Sequence, residues 1–495
     1  MKRIFNVTNF LDYEEVHSAS LKVLENTGMR FLSERMLEAL EKRGASVDRA
    51  GSIARIPGKF AEECVEAQKN DIKKGRKQIL LNGGVSSRTG EKISCKFGSG
   101  AFYTFDWETK TKYKPDENGV AQAIQFGNAL DDVGMIGVPV IPDRVKGEKL
   151  SPHIFPILRA MFVAKNTHKV GNSEVNTPKQ LKYLMKMGEV IRGSHKAYLE
   201  DPCFITAKHP VSPLQMDRDA CDVLLALAEN GLPSNAISMP ILGTSVPVTL
   251  TGAIVISNAE IIGCMCAIKS IYPEAMVLGG VMPAVMDMKT GGLSYDNPLA
   301  VRVDMAMAAM YDDYYGFDFG LGIYCSDAKF LGPEIILQRA VQLAATVMTE
   351  RLNPPVGLYD MGMVFSPELV LLEIDIIKKL VALFSDNPST ENAYNNPPEL
   401  AEILEAINNV KPGGSFLAEE HTLKNFRKNY QSDLLTEVVS AKEGKKLKGM
   451  FGLAHERVGQ IKRDMAPFTL PQDKEKEIDI IVKAACDDIL SDGCV

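Results

Sequence analysis

The chain has 495 residues, of which 45% are hydrophobic and 24% are charged, and its formal net charge is -7. These values are ordinary for a globular protein with one large domain or two to three smaller ones. The acidic balance, with no lysine/arginine run interleaved with aromatic residues, argues against nucleic acid as the main partner.

Cysteine usage and the apolar segments predict a cytoplasmic protein. Nine cysteines is an odd number, and Cys264 and Cys266 fall inside a helical pattern, so we interpret the cysteines as reduced thiols. The most apolar segment, Ala253 to Ile271, is interrupted by Glu260 and Lys269 and does not read as a membrane span. The first residues also lack the charged, then apolar, then small-residue order of an export signal.

The sequence of residues 1–96 predicts an N-terminal helical cap segment. Helices are indicated from Glu14 to Gly28, from Ser33 to Arg43 and from Pro57 to Gln68, and glycine or proline stands at several of their ends. Aromatic and polar residues alternate along residues 103–113 and are interrupted by a turn, which predicts a hairpin. Its first arm is either the first strand of the next domain or part of a cap.

Residues 97–385 alternate between apolar runs and helical patterns, as consecutive βα units do. The apolar runs begin near Val133, His168, Cys203, Asn235, Met276, Phe317 and Val356. Helical patterns lie between them, at 151–164, 177–192, 213–230, 252–271, 297–315, 333–350 and 367–384. With the run from Phe97 to Phe105 the units number eight. The fold class is therefore predicted as α/β, a (β/α)8 TIM barrel with an N-terminal helical segment and a C-terminal helical extension. A doubly wound open sheet is the alternative, but no phosphate-binding glycine turn supports it.

Residues 386–495 predict a C-terminal helical extension. Asparagine and proline mark a linker at 387–398, and helices are indicated from Pro398 to Asn409, from Thr422 to Tyr430 and from Asp473 to Leu490. We expect this extension to pack on the outside of the barrel or over its mouth.

The strand ends carry the chemistry of such a barrel, because the loop after each strand opens on the carboxyl-terminal face. The loop after Phe317 is one example, since it turns polar and is followed by a helix from Pro333. The residues expected at the strand ends are Phe102, Tyr103, Asp106, Asn172, Glu174, His209, Met239, Met282, Tyr324, Cys325, Asp327, Lys329, Tyr359, Asp360 and Met361. Aromatic rings with a few carboxylates suit a permanent cation such as a quaternary ammonium.

Three other interpretations of these residues stay open. Each aromatic residue alone fits a core cap. A zinc ion could be bound by His209, His168, Cys203 and Cys325, although no compact metal motif occurs. Either Lys208 or Lys329 could act as a Schiff-base nucleophile.

Three segments carry a resemblance to a known family: Leu21 to Phe31, Ser326 to Lys329, and Gly413 to Arg427 with its Gly-Gly, His-Thr and Phe-Arg pairs. The chain resembles the trimethylamine methyltransferase family over nearly its whole length. The resemblance implies a (β/α)8 barrel that takes a methyl group from an amine in anaerobic methylamine metabolism. The acceptor is a cobalamin-type corrinoid with reduced cobalt on a small partner protein, and the barrel itself holds no cofactor or metal tightly. His421 lies in the matched block, and its role is either structural or at the corrinoid-facing rim.

Family members that use trimethylamine carry pyrrolysine, whereas this chain has standard residues throughout. It therefore looks like the non-pyrrolysine branch, whose substrates are quaternary amines such as glycine betaine, proline betaine or carnitine. A quaternary nitrogen already carries the positive charge that makes the amine a good leaving group.

Within this interpretation the predicted cation cage is Phe102, Tyr103, Tyr324 and Tyr359, with Glu174 or Asp327 as the compensating charge. The substrate carboxylate would be bound by His209, Lys329 or the amides near Gly332. These residues come from the predicted strand ends and not from the family.

The rival functions are a zinc-dependent methanol or methoxy methyltransferase acting on a corrinoid protein, a non-catalytic barrel that binds betaines, and a Schiff-base lyase. Self-association into a homo-oligomer is compatible with the helical ends.

Overall fold

The computed structural model of the protein describes residues 11–75, 93–98, 100–145, 147–169, 171–204, 206–322, 325–384, 400–426, 432, 434–435 and 448–490. Its N-terminal elements are α1 (Tyr13–Asn26), β1 (Met29–Phe31), α2 (Glu34–Lys42), β2 (Ser46–Asp48), β3 (Ile53–Arg55) and α3 (Gly58–Lys73). The three predicted helices are confirmed. The segment also contains a small sheet that the sequence did not predict, in which β1 pairs with β3 and β3 pairs with β2.

The central strands and helices follow one another in near-regular alternation. The strands are β4 (Cys95–Phe97), β5 (Tyr103–Asp106), β6 (Thr111–Tyr113), β7 (Val133–Ile136), β8 (Arg144–Val145), β9 (Glu148–Lys149), β10 (Ala207–Lys208), β11 (Gln215–Met216), β12 (Ser234–Ser238), β13 (Ile241–Leu242), β14 (Val277–Val281), β15 (Ala284–Met286), β16 (Leu293–Ser294), β17 (Phe319–Gly320), β18 (Pro355–Val356), β19 (Leu358–Tyr359) and β20 (Val364–Phe365). The helices are α4 (Glu117–Asn128), α5 (Phe155–Asn166), α6 (Pro178–Arg192), α7 (His195–Glu200), α8 (Arg218–Glu229), α9 (Leu250–Ile271), α10 (Pro298–Met310), α11 (Pro333–Met348) and α12 (Pro367–Phe384). The sequence predicted each of these helices except α4 and α7.

The C-terminal elements are helical. They are α13 (Leu400–Val410), α14 (Glu420–Asn425), α15 (Gly449–Asp464) and α16 (Gln472–Leu490). Helix α15 was not predicted, and it packs on α12. Helix α16 packs against α5 and α6, on the outside of the strands.

Seven of these strands form two parallel sheets, with the orders β18-β4-β7 and β10-β12-β14-β17. This arrangement is a mixed α/β fold, and no closed sheet occurs among the described residues. No strand occurs near His168 among the described residues, although one was predicted there, and the Ile136 amide donates to the Lys169 carbonyl at 2.8 Å. Residues 171–175 instead contact the next segment through a side chain, because the Val175 amide donates to Thr206 Oγ1 at 3.2 Å and not to a backbone oxygen.

The hairpin predicted at residues 103–113 is confirmed as β5 and β6, and it belongs to a separate sheet with β19 and β20. The first strand of the parallel sheets is β4 instead. Phe97 of β4 packs outward against Phe126 and Phe365. The alternation along a strand therefore points Lys96 to the opposite, inner face.

Helix α3 covers the amino-terminal end of β14. The Gln68 side chain donates to the Val277 carbonyl at 2.6 Å and accepts from the Val277 amide at 2.9 Å. Ile72 packs on Met276 and Leu278. This cover leaves the carboxyl-terminal ends of the strands as the open side of the fold.

Helix α9 is the one described helix that is long and apolar enough to cross a membrane, and 78% of its most apolar window is buried inside the fold. It packs against α1, α2, α3 and α10, so its apolar composition is that of a core helix.

A buried ion pair links α11 to α12. Arg339 Nε contacts Glu373 Oε1, and both side chains are fully buried. Arg339 also donates to the Pro355 carbonyl at 2.7 Å, and the Gly357 amide donates to Glu373 Oε2 at 2.6 Å. The pair therefore fixes both helices to the segment around β18.

We predict that Arg339→Met lowers the free energy of unfolding by about 3–5 kcal/mol, because it leaves the Glu373 carboxylate buried without its partner. The double variant Arg339→Met/Glu373→Met should lose clearly less. Urea unfolding of the three proteins measures both values, and equal losses in the single and double variants would contradict the prediction.

Candidate active site

The carboxyl ends of the first three parallel segments meet in close backbone contact. A Cβ built on Gly98, whose φ is +86°, would lie 2.6 Å from the Gly137 carbonyl oxygen, and one on Gly137 would lie 3.3 Å from the Asn172 carbonyl oxygen. Ala101 bridges Val140 in parallel. Glycine is required at Gly98 and Gly137 because a side chain would push these segments apart. Residues 98 and 100–102 and residues 171–175 therefore lie on either side of residues 137–140, and the three segments share one rim.

The aromatic residues proposed for a cation cage lie at different depths. The Phe102 side chain is 48% exposed, whereas Tyr103 is half-buried. Tyr359 is fully buried and its hydroxyl has no hydrogen-bond partner among the described residues. It packs in a small apolar cluster with Ala328, Ile335, Val364 and Leu369, and Tyr103 borders the same cluster. The structure thus brings Tyr103 and Tyr359 together, but no part of the Tyr359 ring is exposed to solvent. Tyr324 lies outside the described residues.

Lys329 is held by an ion pair. Its Nζ lies 2.7 Å from Asp360 Oδ1, and Lys112 Nζ lies 2.7 Å from Asp360 Oδ2. Burial of Asp360 acts to raise the pKa of its carboxyl, but the hydrogen bonds from the two lysines outweigh burial and lower that pKa. Asp360 therefore fastens the β5–β6 hairpin and the loop after β17 to the turn after β19.

Asp327 organises the loop that follows β16. Its carboxylate accepts hydrogen bonds from Ser294 Oγ at 2.7 Å and from the amides of Tyr295 and Asp296, each at 3.1 Å. With three donors from one loop, Asp327 is less suited to a substrate cation than a carboxylate with open oxygens. Burial, and next the charge of Asp327, raise the pKa of Asp296 to about 6.

Glu174 and His209 lie side by side at the ends of neighbouring segments. His209 Nε2 is 4.0 Å from Glu174 Oε1, and 42% of the Glu174 side chain is exposed. His209 Nδ1 lies 3.1 Å from the Ile237 carbonyl oxygen. Burial acts to raise the pKa of Glu174, but the contact with His209 and the charge of Arg159 outweigh burial and lower that pKa. Glu174 is therefore an ionised and partly open carboxylate.

His421 lies in the C-terminal helix α14. Its Nε2 is buried and has no hydrogen-bond partner among the described residues, while its backbone carbonyl accepts from Asn425 Nδ2 at 2.8 Å. The structure places it in the extension, and its role stays a prediction.

Two cationic residues were missed by the sequence analysis. Arg159 is on α5, and its Nη2 would lie 3.8 Å from a Cβ on Gly100, so it reaches the rim from a covering helix. Lys96 projects from β4 to the inner face, where burial lowers the pKa of its amine to about 8. The alternation of Cys95, Lys96 and Phe97 is the one sequence signal that could have identified Lys96. No local pattern identifies Arg159, because it lies inside a helix.

The donors considered for a zinc site are not assembled. The described residues contain no group of three or more His, Cys, Asp or Glu that could hold a metal ion. Cys203 and Cys325 are buried, and the ring of His168 lies near Phe468 with the centroids 6.2 Å apart.

Comparison with known proteins gives a family match over most of the chain. A model of the family described as trimethylamine methyltransferase (MTTB) matches residues 2–484. The trimethylamine methyltransferase MttB of Desulfitobacterium hafniense DCB-2 is 26% identical over 441 residues, which cover 87% of this chain and 84% of that protein. The glycine betaine methyltransferase of Desulfitobacterium hafniense Y51 is 23% identical over 439 residues, which cover 88% and 87% of the two chains.

Among solved structures, the monomethylamine methyltransferase MtmB of Methanosarcina barkeri matches with a TM-score of 0.47 and 11% sequence identity, over 98% of this chain and 87% of that chain. This similarity is too low to assign a shared fold.

We predict that Asp296→Asn changes how stability depends on pH. Because the folded-state pKa of Asp296 is raised to about 6, the wild-type protein loses stability from this group as the pH rises from about 4 through 6. The difference in unfolding free energy between variant and wild type should therefore shift in favour of the variant over this range. Urea unfolding between pH 4 and 7.5 measures it, with exposed Asp201→Asn as the control, and a pH-independent difference would refute the assignment.

Proposed function

The chain belongs to the trimethylamine methyltransferase family, and from this premise we propose that it moves a methyl group from a quaternary amine of the betaine type to the Co(I) corrinoid of a small partner protein. The observation that carries the proposal is the rim where exposed Phe102 and ionised, half-exposed Glu174 lie on the two segments that flank residues 137–140. A ring face and a carboxylate are the two groups that stabilise a fixed positive nitrogen.

We further propose that the two parallel sheets belong to one closed (β/α)8 barrel. Backbone hydrogen bonds support this closure on one side, where the Ser326 amide donates to the Leu358 carbonyl at 3.3 Å and the Asp360 amide donates to the Ala328 carbonyl at 3.0 Å. On the other side, the Ile136 amide donates to the Lys169 carbonyl at 2.8 Å. These contacts join the segments that flank the edges of the two sheets.

The reaction breaks the bond between nitrogen and one methyl carbon. The electron pair of that bond stays on nitrogen, which leaves as a neutral tertiary amine, and the methyl carbon bonds to the nucleophilic cobalt. No proton needs to move in this step. The residues of the barrel therefore act by holding the cation and aiming one methyl group outward, and positioning of this kind supplies a large part of the rate enhancement.

The roles of the individual residues follow from their exposure. Phe102 offers the accessible ring and Glu174 the compensating charge, while Tyr324 stays a predicted cage residue. Tyr359 belongs to the apolar cluster against which Tyr103 packs. Asp360, which pairs with Lys329, keeps this part of the rim rigid.

The location of the protein is also a proposal. The seven buried cysteines among the described residues are free thiols, which fits a reducing cytoplasm. Reduced cobalt needs the same reducing conditions.

We predict that the purified protein demethylates a betaine when it is mixed with cob(I)alamin without oxygen. The visible spectrum should change from that of cob(I)alamin to that of methylcobalamin, with formation of one tertiary amine per methyl group transferred. Glycine betaine, proline betaine, carnitine, methanol and trimethylamine form the substrate panel. Binding of betaines without any methyl transfer, either to cob(I)alamin or to a corrinoid protein, would instead identify a binding protein. Turnover of methanol that depends on stoichiometric zinc would identify the rival enzyme.

We predict that Phe102→Ala raises the KM for the quaternary amine about 5- to 30-fold, because the lost contact between cation and ring contributes about 1–2 kcal/mol. Phe330→Ala is the matched control, since Phe330 is 77% exposed and lies outside the proposed cage. Initial rates with cob(I)alamin give both KM values. Equal KM values for the two variants would remove Phe102 from the cage.

A further inference from the structure

A histidine of the C-terminal extension joins the β5–β6 hairpin to helix α12. His455 lies on α15, and its Nδ1 is 2.9 Å from Glu368 Oε1 at the start of α12. Its Nε2 is 3.3 Å from Glu108 Oε1, in the turn of the hairpin. An ionised carboxylate only accepts hydrogen bonds, so the ring satisfies both contacts only when both of its nitrogens carry hydrogen.

The two carboxylates differ in their surroundings. The Glu368 side chain is 4% exposed, and its second oxygen, Oε2, accepts from Ser366 Oγ at 2.7 Å. The fold therefore fixes its position. The Glu108 side chain is 82% exposed, so water can replace its contact with His455. The link between α15 and the hairpin thus has one fixed side and one side that can separate.

The ring of His455 also stacks on Trp107, the residue before Glu108. The two ring centroids are 5.1 Å apart and the planes are inclined by 17°. A cation over the face of an indole ring is attracted by the ring quadrupole, which a neutral imidazole is not. We call the arrangement of His455, Trp107, Glu108 and Glu368 the histidine clasp. Each of its three contacts is strongest with the charged imidazole.

The charged groups at the histidine clasp come from four elements: α12, the end of β5, the hairpin turn and α15. Three carboxylates act on the imidazole, and one ammonium group lies over the indole ring, 3.1 Å from its centroid. On α15 itself, Glu456 is paired with Lys448, and Arg457 donates to Gln460. The three carboxylates are those of Glu368, Asp106 and Glu108, and the ammonium group is that of Lys110.

The clasped hairpin carries residues of the proposed cage. Phe102 immediately precedes β5, and Tyr103 is its first residue. Tyr103 and Phe105 both border the small apolar cluster that contains Tyr359. The ring of Phe105 lies edge-on to Trp107, with the centroids 6.5 Å apart. A continuous series of side-chain contacts therefore runs from the histidine clasp to the apolar cluster at the cage.

We propose that His455 is a positioning residue for the quaternary amine: in its charged form it holds the hairpin to α12, and it thereby holds Phe102 and Tyr103 in the orientation that binds the cation. This inference rests on the proposed function and adds the C-terminal extension to the parts of the chain that determine affinity. Histidine is the side chain that changes charge between about pH 5 and 8. Because the clasp loses one hydrogen as the pH rises through this range, binding of the amine becomes weaker.

The emission of Trp107 tests the histidine clasp directly, because Trp107 is the single tryptophan of the chain. A charged imidazole in contact with an indole quenches its emission more strongly than a neutral one does. We expect one rise in emission between about pH 5 and 8 in the wild-type protein and in His195→Gln, and no such rise in His455→Gln. His195 is the matched control, since its Nδ1 also contacts a carboxylate, Glu189 Oε1 at 2.8 Å, and its side chain is 58% exposed.

Calorimetric titration with glycine betaine, proline betaine and carnitine tests the positioning role. For the amine that binds the wild-type protein, we expect His455→Gln to raise the Kd about 3- to 10-fold at about pH 6 and less than twofold at about pH 8, where the wild type has lost the clasp as well. Glu108→Ala should change the Kd in the same direction by less, and His195→Gln should match the wild type. The kcat with cob(I)alamin at saturating amine should stay within about twofold, because the clasp acts on the cage and not on the reacting atoms.

The histidine clasp and the proposed function fail in different ways. An emission that is constant over this pH range, or that rises equally in His455→Gln, would overturn the clasp. A Kd that His455→Gln leaves unchanged at pH 6, or raises as much at pH 8, would overturn the positioning role. In each of these cases the methyltransferase proposal stands if a methyl group reaches cobalt.

Conversely, the positioning role stands and the methyltransferase proposal is wrong if the Kd values follow the clasp but no methyl group is transferred to cob(I)alamin or to a corrinoid protein. If none of the three amines binds or is demethylated, both are wrong. Circular dichroism at each pH checks that the variants are folded. Glu108→Ala carries the test if His455→Gln does not fold, because the Glu108 side chain is exposed.

Discussion

The common direction of the parallel strands is the constraint on which the rest of this structure depends. In both parallel sheets every strand runs the same way, so the segments after β4, β7, β10 and the later strands all leave at one side. At the other side, Gln68 of α3 satisfies both backbone groups of Val277 and closes the fold. Within each sheet, charged and aromatic side chains that are distant in sequence are therefore brought to the same edge.

Two half-buried carboxylates, Asp327 and Asp360, hold the loops after the strands in place. Asp327 fixes residues 294–296 through three hydrogen bonds, and Asp360 joins two lysines from separate loops. The pair of Arg339 and Glu373 anchors the helices behind them. Because the proposed reaction needs positioning and not proton transfer, rigid loops serve it better than a mobile acid or base would.

The alternation of helices and strands could be predicted because the spacing of apolar residues within each segment indicates its secondary structure. The helices from Phe155–Asn166 to Pro367–Phe384 were found within a few residues, apart from His195–Glu200, which was missed. The strand predicted near His168 does not occur among the described residues, and apolar composition alone does not show that the Val175 amide would bond to the Thr206 side chain.

The site was harder to predict, because depth and partners are properties of the assembled fold. Tyr359 follows a strand as expected but packs inward under Ala328 and Leu369. Lys329 is neutralised by Asp360, a pairing that joins positions 31 residues apart in sequence. Arg159 lies in the middle of a helix, where no strand-end rule would select it, yet its guanidinium reaches the rim.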